Sequence, residues 1–248
     1  MRWSMLRAIL IIITGLSLAQ AQALDKKEKE LIGMNSGQYD FLVYALTWQP
    51  TYCVLYSADQ NCKEIRSDFY THGIWPYFKT TQESNNIHPS YCIQSSGCAE
   101  KKACSLTDDV ITNILIDDNF RLILAKHPEN LMKHEWEKHG TCYGKNQYEY
   151  FNDFINLKKT IADNKKILEN IGEEVLFSEI KTWFPQNTSF RCISKDKKQY
   201  LFEVYYLLTS DGKPYYDEKE LQIGEKCKNV NTVIPRARVQ YIIRKKNT

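Results

Sequence analysis

After its first two dozen residues the sequence has no long apolar run, no internal repeat, no low-complexity tract and no Pro/Gly/Ser-rich linker. A membrane-spanning helix needs ~20 consecutive apolar residues, so the body of the chain offers none. Without a linker or a repeat there is no boundary at which to divide it, and a single domain over residues 24–248 is expected. Charge of one sign is also scarce: 33 Lys+Arg against 30 Asp+Glu leave a formal net charge of +3. A global basic field is therefore missing, and any attraction for a polyanion must come from a local patch. The eight cysteines include no CxxC pair, the spacing that structural zinc sites usually show.

What is present begins with an export signal. Arg2 and Arg7 form a short positive region, Ala8 to Leu18 an apolar run, and Ala19-Gln20-Ala21 and Ala21-Gln22-Ala23 two small-x-small cleavage sites. Residues 1–23 are expected to be a signal peptide. All eight cysteines follow it: Cys53, Cys62, Cys92, Cys98, Cys104, Cys142, Cys192 and Cys227. An even number behind an export signal implies four disulfides in an oxidising compartment, so a secreted or periplasmic protein. Spacing alone leaves the pairing open.

Strand-like stretches run from Tyr39 to Trp48, stopped by Pro50, and from Phe69 into His72, stopped by Pro76. Residues 84–104, with three cysteines and few apolar side chains, read as a stapled loop. A helix is expected from Thr107-Asp108-Asp109, carried by Val110, Ile111, Ile114 and Leu115 and over by Pro128. A short helix over residues 131–139 would be capped by Gly140. A longer one would run from Tyr150 through Phe154, Leu157, Ile161 and Ile167 to Gly172. Strands return at Tyr200 to Leu208, followed by a turn at Asp211-Gly212 and a strand from Val239 to Ile243. Partly segregated strands and helices predict an α+β fold, a mainly antiparallel central sheet packed with several helices.

The chemistry concentrates in His134-Glu135-Trp136-Glu137-Lys138-His139-Gly140-Thr141-Cys142. At about 100° per helical residue, His134, Glu135, Lys138 and His139 share less than half the circumference while Trp136 points away. That arrangement puts Trp136 in a core and the ionisable face in a cleft; the plainer reading of such a face is simple solvation. His134-Glu135 begins like the HExxH zinc motif, but position 138 is Lys and His139 lies five residues on, so no metal and no cofactor are expected. The second segment is Thr71-His72-Gly73-Ile74-Trp75-Pro76. Two histidines on separate elements can flank a phosphate, because an imidazole near neutrality serves as either base or acid. A lysine ammonium beside them can stabilise charge growing on the phosphoryl oxygens.

Together, His72-Gly73-Ile74-Trp75-Pro76 and His134 through Cys142 resemble the two signatures of the T2 ribonuclease family, in order and in spacing, and Phe41 to Trp48 with Pro50 and Cys53 resembles its first core strand. The resemblance implies a metal-independent endoribonuclease acting on single-stranded RNA through a 2′,3′-cyclic phosphate to a 3′-phosphate. His139 would be the general base and His72 the general acid. Glu135 and Lys138 would stabilise the pentacoordinate state, His134 would bind phosphate, and Trp75 would stack on a base or else fill the core. Tyr77 stands where the family often has an acidic residue. The resemblance also implies disulfides Cys92–Cys142 and Cys192–Cys227; Cys53–Cys62 closes a short loop, and Cys98–Cys104 is the pair then left. His88 and His127 read as surface residues, Asn187-Thr188-Ser189 as a glycosylation sequon, and Arg244-Lys245-Lys246 as a solvated tail. A monomer binding RNA and no membrane is expected; the alternative is a catalytically silent relative acting as a secreted binding protein.

Overall fold

The computed structural model describes residues 28–81, 86–98, 104–161, 164–218 and 221–237. The expected signal peptide, the strand expected at Val239–Ile243 and the basic tail lie outside the described residues. In chain order the elements are β1 (Lys29–Ile32), β2 (Phe41–Trp48), α1 (Gln49–Leu55), β3 (Phe69–Tyr77), β4 (Ile87–Ser90), α2 (Asp108–Ile116), α3 (Asp118–Ile123), α4 (Glu129–Lys138), α5 (Gln147–Thr160), α6 (Lys165–Glu169), β5 (Glu174–Leu176), α7 (Phe177–Thr182), β6 (Thr188–Lys195), β7 (Lys198–Leu208) and β8 (Asn231–Val233).

Among the described residues six strands form one sheet in the order β3-β2-β7-β8-β5, with β6 also on β7; every pairing is antiparallel except β7 with β8. A second, two-stranded sheet pairs β1 with β4 in parallel. The fold is α+β. β2 is buried along its whole length, because side chains alternate between two cores. Leu42, Tyr44, Leu46 and Trp48 face the helices with Trp136, Tyr150, Phe151 and Phe154. Phe41, Val43 and Ala45 face the other side with Trp75, Tyr77, Tyr205 and Leu207.

Several boundaries differ from the sequence reading for local reasons. β3 continues through Pro76 because it is the sheet's edge strand, where a missing N–H is tolerated. The stapled loop contains β4. Asp117 ends α2 and caps α3, its side chain accepting from the Asn119 N–H. The long helix expected up to Gly172 is two helices, since Asn164 caps a new one by accepting from the Ile167 N–H. Both residues offer the backbone an alternative to continuing the helix. Gly140 is not a left-handed cap: α4 runs into a 3-10 turn over Gly140–Cys142. A Cβ at Gly140 would collide with the Trp136 ring and sit 3.0 Å from Tyr150 Cε1. The glycine is there for space.

Disulfides join Cys53–Cys62, Cys92–Cys142, Cys98–Cys104 and Cys192–Cys227. Asn187 of the sequon is 4% exposed and its amide donates to the Leu207 carbonyl at 2.7 Å, so the folded chain does not offer it for glycosylation. Among the described residues no helix is long and apolar enough to cross a membrane.

Candidate active site

His72 owes its orientation to a β-bulge. The register between β2 and β3 runs from Ala45 opposite Gly73 directly to Leu46 opposite Thr71, so His72 is the extra residue. Regular alternation would put His72 and Trp75 on opposite faces; the bulge brings them to one, with rings 5.1 Å apart. The His72 side chain remains 27% exposed.

α4 packs beside this edge strand. Met132 and Trp136 enter the helix-side core, and Trp136 Nε1 donates to the Cys104 carbonyl at 2.9 Å. Glu135 and His139 reach the other way, to Trp75. The indole Nε1 donates to Glu135 Oε2 at 2.6 Å, and the His139 ring lies 5.3 Å from the indole. His72 and His139, one from each signature, therefore pack on one tryptophan. Gly73 of the first signature makes this possible, since a Cβ there would strike the Glu135 carboxylate. Trp75 is 7% exposed, walled by His72, His139 and Tyr205, so little of its face is open to an incoming base.

Position 139 is held by a staple. Cys92–Cys142 ties the turn after α4 to the segment following β4, reinforced by Cys92 N–H donating to Thr141 Oγ1 and Tyr91 N–H to the Lys138 carbonyl, both at 3.0 Å. His134 is exposed, its ring 6.4 Å from that of His139. Lys138 Nζ lies 3.5 Å from Glu30 Oε1 on β1.

Two residues were misjudged from sequence. His88 is buried at 1% exposure, against the Tyr77 ring and 6.1 Å from the His139 ring, with Nδ1 3.5 Å from Glu28 and Nε2 3.8 Å from Glu30. The β1–β4 pairing covers it. His127 is half-buried and lines a cleft of about 320 Å³ beside His72, with Tyr52, Tyr56, Tyr70 and Phe202. One residue was overlooked. Glu203, in the middle of the apolar strand β7, accepts from His72 Nδ1 at 2.7 Å and is 1% exposed. The available signal was a lone carboxylate in Leu201-Phe202-Glu203-Val204-Tyr205.

The titratable groups are driven apart. Burial pushes His139 well below 6.5, and the positive charges of His88, Lys138, His134 and His72 push it the same way. Burial also opposes protonation of His72, yet the Glu203 hydrogen bond and the charges of Glu203 and Glu135 outweigh it and raise His72 above 6.5. Glu135 is lifted to about 7 by burial. Burial would lift Glu203 as well, but the His72 hydrogen bond and the charges of His72 and Arg191 hold it at about 2. His134, Glu135 and His139 bring potential ligand atoms within 4.8 Å of one another. As a dication site the set is poor, because Glu135 already accepts from Trp75 and the Lys138 ammonium stands alongside.

The ribonuclease T2 family profile matches residues 39–227. The chain belongs to that family. A ribonuclease of Aeromonas hydrophila is 26% identical over 131 residues, 52% of this chain and 49% of its own length. Intracellular ribonuclease LX of Solanum lycopersicum is 23% identical, covering 78% of this chain and 83% of its own, and ribonuclease I of Escherichia coli K12 is 24% identical, covering 83% and 86%. The chain thus spans about half the length of the first of these relatives and most of the other two. Among solved structures, ribonuclease MC1 from bitter gourd seeds superposes with a TM-score of 0.58 at 18% identity over 79% of this chain and 100% of its own. RNase NT, solved with 5′-AMP, gives 0.57 at 19% identity over 80% and 99%. At these identities the superpositions show a shared fold. β1, with Glu30, precedes the part of the chain that the family profile matches.

Proposed function

We propose that the protein is a metal-independent endoribonuclease that cleaves single-stranded RNA by transesterification to a 2′,3′-cyclic phosphate, followed by slower hydrolysis to a 3′-phosphate. The observation that carries this reading is the packing of two imidazoles on one indole in opposite surroundings, His72 against the Glu203 carboxylate and His139 buried beside other bases, which drives their titrations apart. His139, kept neutral, takes the 2′-OH proton as that oxygen attacks phosphorus. His72, kept protonated, gives a proton to the departing 5′-oxygen. Glu135, lifted to about 7, can take up a proton at mildly acidic pH and donate a hydrogen bond to a phosphoryl oxygen; in that form Glu203 alone supplies the negative charge that favours protonated His72. Lys138 supplies positive charge there, and exposed His134 binds the phosphate from the outer side. Trp75 fits a wall that fixes Glu135 and both imidazoles better than a platform for stacking, given its burial.

Export through residues 1–23 to an extracellular or periplasmic space agrees with four disulfides and no unpaired cysteine among the described residues. The test is purified protein on a defined single-stranded oligoribonucleotide in EDTA, with product ends identified by mass spectrometry. Cyclic phosphate and 5′-hydroxyl ends are expected, and the all-deoxy oligonucleotide should resist for want of a 2′-OH. Cleavage that requires a divalent cation, or that leaves 5′-phosphate ends, would refute the proposal.

A further inference from the structure

The buried carboxylate of Glu203 has four donors. Oε1 accepts from Thr47 Oγ1 at 3.1 Å and from His72 Nδ1 at 2.7 Å; Oε2 accepts from Arg191 Nη1 at 3.0 Å and from Tyr205 Oη at 2.6 Å. The donors come from β2, β3, β6 and β7, so each oxygen is gripped by two strands of the rigid sheet. Two of the donors, Thr47 and Tyr205, are buried, as is Glu203 itself. Of the partners, Thr47 and His72 line the cleft, and His72, its side chain 27% exposed, is the more open of the two.

We propose that Glu203 is the positioning residue for the general acid: it fixes the His72 imidazole through Nδ1–H so that the proton delivered to the leaving oxygen sits on Nε2, facing the cleft. This inference rests on the reading of His72 given under the proposed function. A carboxylate already accepting from three other donors is a poor proton acceptor, so the Nδ1 proton stays on the ring. When His72 gives its Nε2 proton to the departing 5′-oxygen, it becomes the neutral Nδ1–H tautomer, still bonded to Glu203, with no proton passed to the carboxylate. The groups facing His72 are Glu203 and Arg191 from β7 and β6, Glu135 from α4, and His139 and His134 beyond it. Glu135 Oε1 lies 3.5 Å from His72 Nε2, too far to hold that nitrogen, and its partner oxygen is engaged by Trp75. The alternative is a carboxylate that merely knits four strands together. That role would cost stability and slow every substrate alike.

Glu203→Gln separates the two roles. The amide keeps the size but can present N–H to Nδ1, forcing the opposite tautomer. On RNA, whose alkoxide leaving group needs a proton, the rate constant should fall at least about 10²-fold with KM little changed, and the alkaline limb of the pH profile should move to lower pH. On a nucleoside 3′-aryl phosphodiester, whose phenolate leaves unprotonated, the loss should be under about 10-fold. Equal losses on both substrates, or an unmoved alkaline limb, would overturn the inference. A second measurement needs neither the variant nor any activity: ¹⁵N shifts of neutral His72 in the wild-type protein should report Nδ1–H, and an Nε2–H tautomer would overturn the inference. Should the wild-type cleave neither substrate, the ribonuclease reading fails while the tautomer remains a test of Glu203.

Discussion

His72 and His139 lean on one indole yet inhabit opposite surroundings. His72 sits at an open bulge between two buried carboxylates, with Glu203 2.7 Å from Nδ1 and Glu135 3.5 Å from Nε2. His139 is buried at 6% exposure among other nitrogen bases and the Lys138 ammonium, and its Nδ1 has no hydrogen-bond partner. Identical side chains are thereby pushed to opposite sides of 6.5. The difference teaches that acid and base are assigned by neighbours rather than by residue type. It also fixes the pH dependence. The competent form, neutral His139 with protonated His72, dominates between the lowered and the raised value, so activity is lost on acidification as His139 gains a proton and on alkalinisation as His72 gives one up.

Removing either ring should break the contrast most severely. His139→Ala and His72→Ala are each expected to lower the rate of RNA cleavage at least about 10²-fold. The residual activity of the first should lose its acid limb and that of the second its alkaline limb, as read from pH–rate profiles. Opening Cys92–Cys142 with paired alanines should act on the His139 side. The staple closes a loop of sequence separation 50, so unfolding free energy should fall by about 4 kcal/mol in denaturant melts. At the shared wall, Trp75→Phe leaves the buried Glu135 carboxyl without its donor. A cost of about 1–3 kcal/mol is expected, together with a further rise in the Glu135 titration and a shift in the pH profile. Gly73→Ala should produce the same shift, because its Cβ would displace Glu135.

The smallest expected effect is on stability against pH. His139, depressed in the fold, makes stability fall as pH drops below 6.5, since the unfolded chain takes a proton that the folded one refuses. His72, raised in the fold, contributes stability that is complete below 6.5 and lost as pH climbs through its raised value. Thermal melts of His139→Ala should therefore flatten on the acid side, and those of His72→Ala on the alkaline side. Melts that flatten on the same side for both would contradict the assignment.

The site was legible where its residues are close in sequence. His134, Glu135, Lys138 and His139 occupy one turn and a half of helix, and His72 is flagged by the Gly and Trp beside it. Glu203 was overlooked, because its partner lies 131 positions away and the one local signal, a lone carboxylate in an apolar strand, does not say what it pairs with. His88 was misread for a similar reason: the β1–β4 pairing, across nearly sixty residues of chain, and the Tyr77 ring of β3 bury it. The bulge that turns His72 toward Trp75 depends on register with β2, which a single strand does not encode. Helix boundaries failed at Asp117 and Asn164, where apolar periodicity carries on but a side-chain cap intervenes. Cys92–Cys142 and Cys192–Cys227 came from resemblance, Cys53–Cys62 from the short loop it closes and Cys98–Cys104 as the pair then left, and the short or polar strands β5, β6 and β8 carried no clear period.

Acid–base cleavage at this site depends on the split between two imidazoles, and a site-resolved NMR titration of the wild-type protein tests it most directly. His72 is predicted to keep its proton above pH 6.5, while His139 remains neutral well below that value. Coincident titration of the two near 6.5, or the reverse order, would contradict the assignment of acid and base and the mechanism built on it.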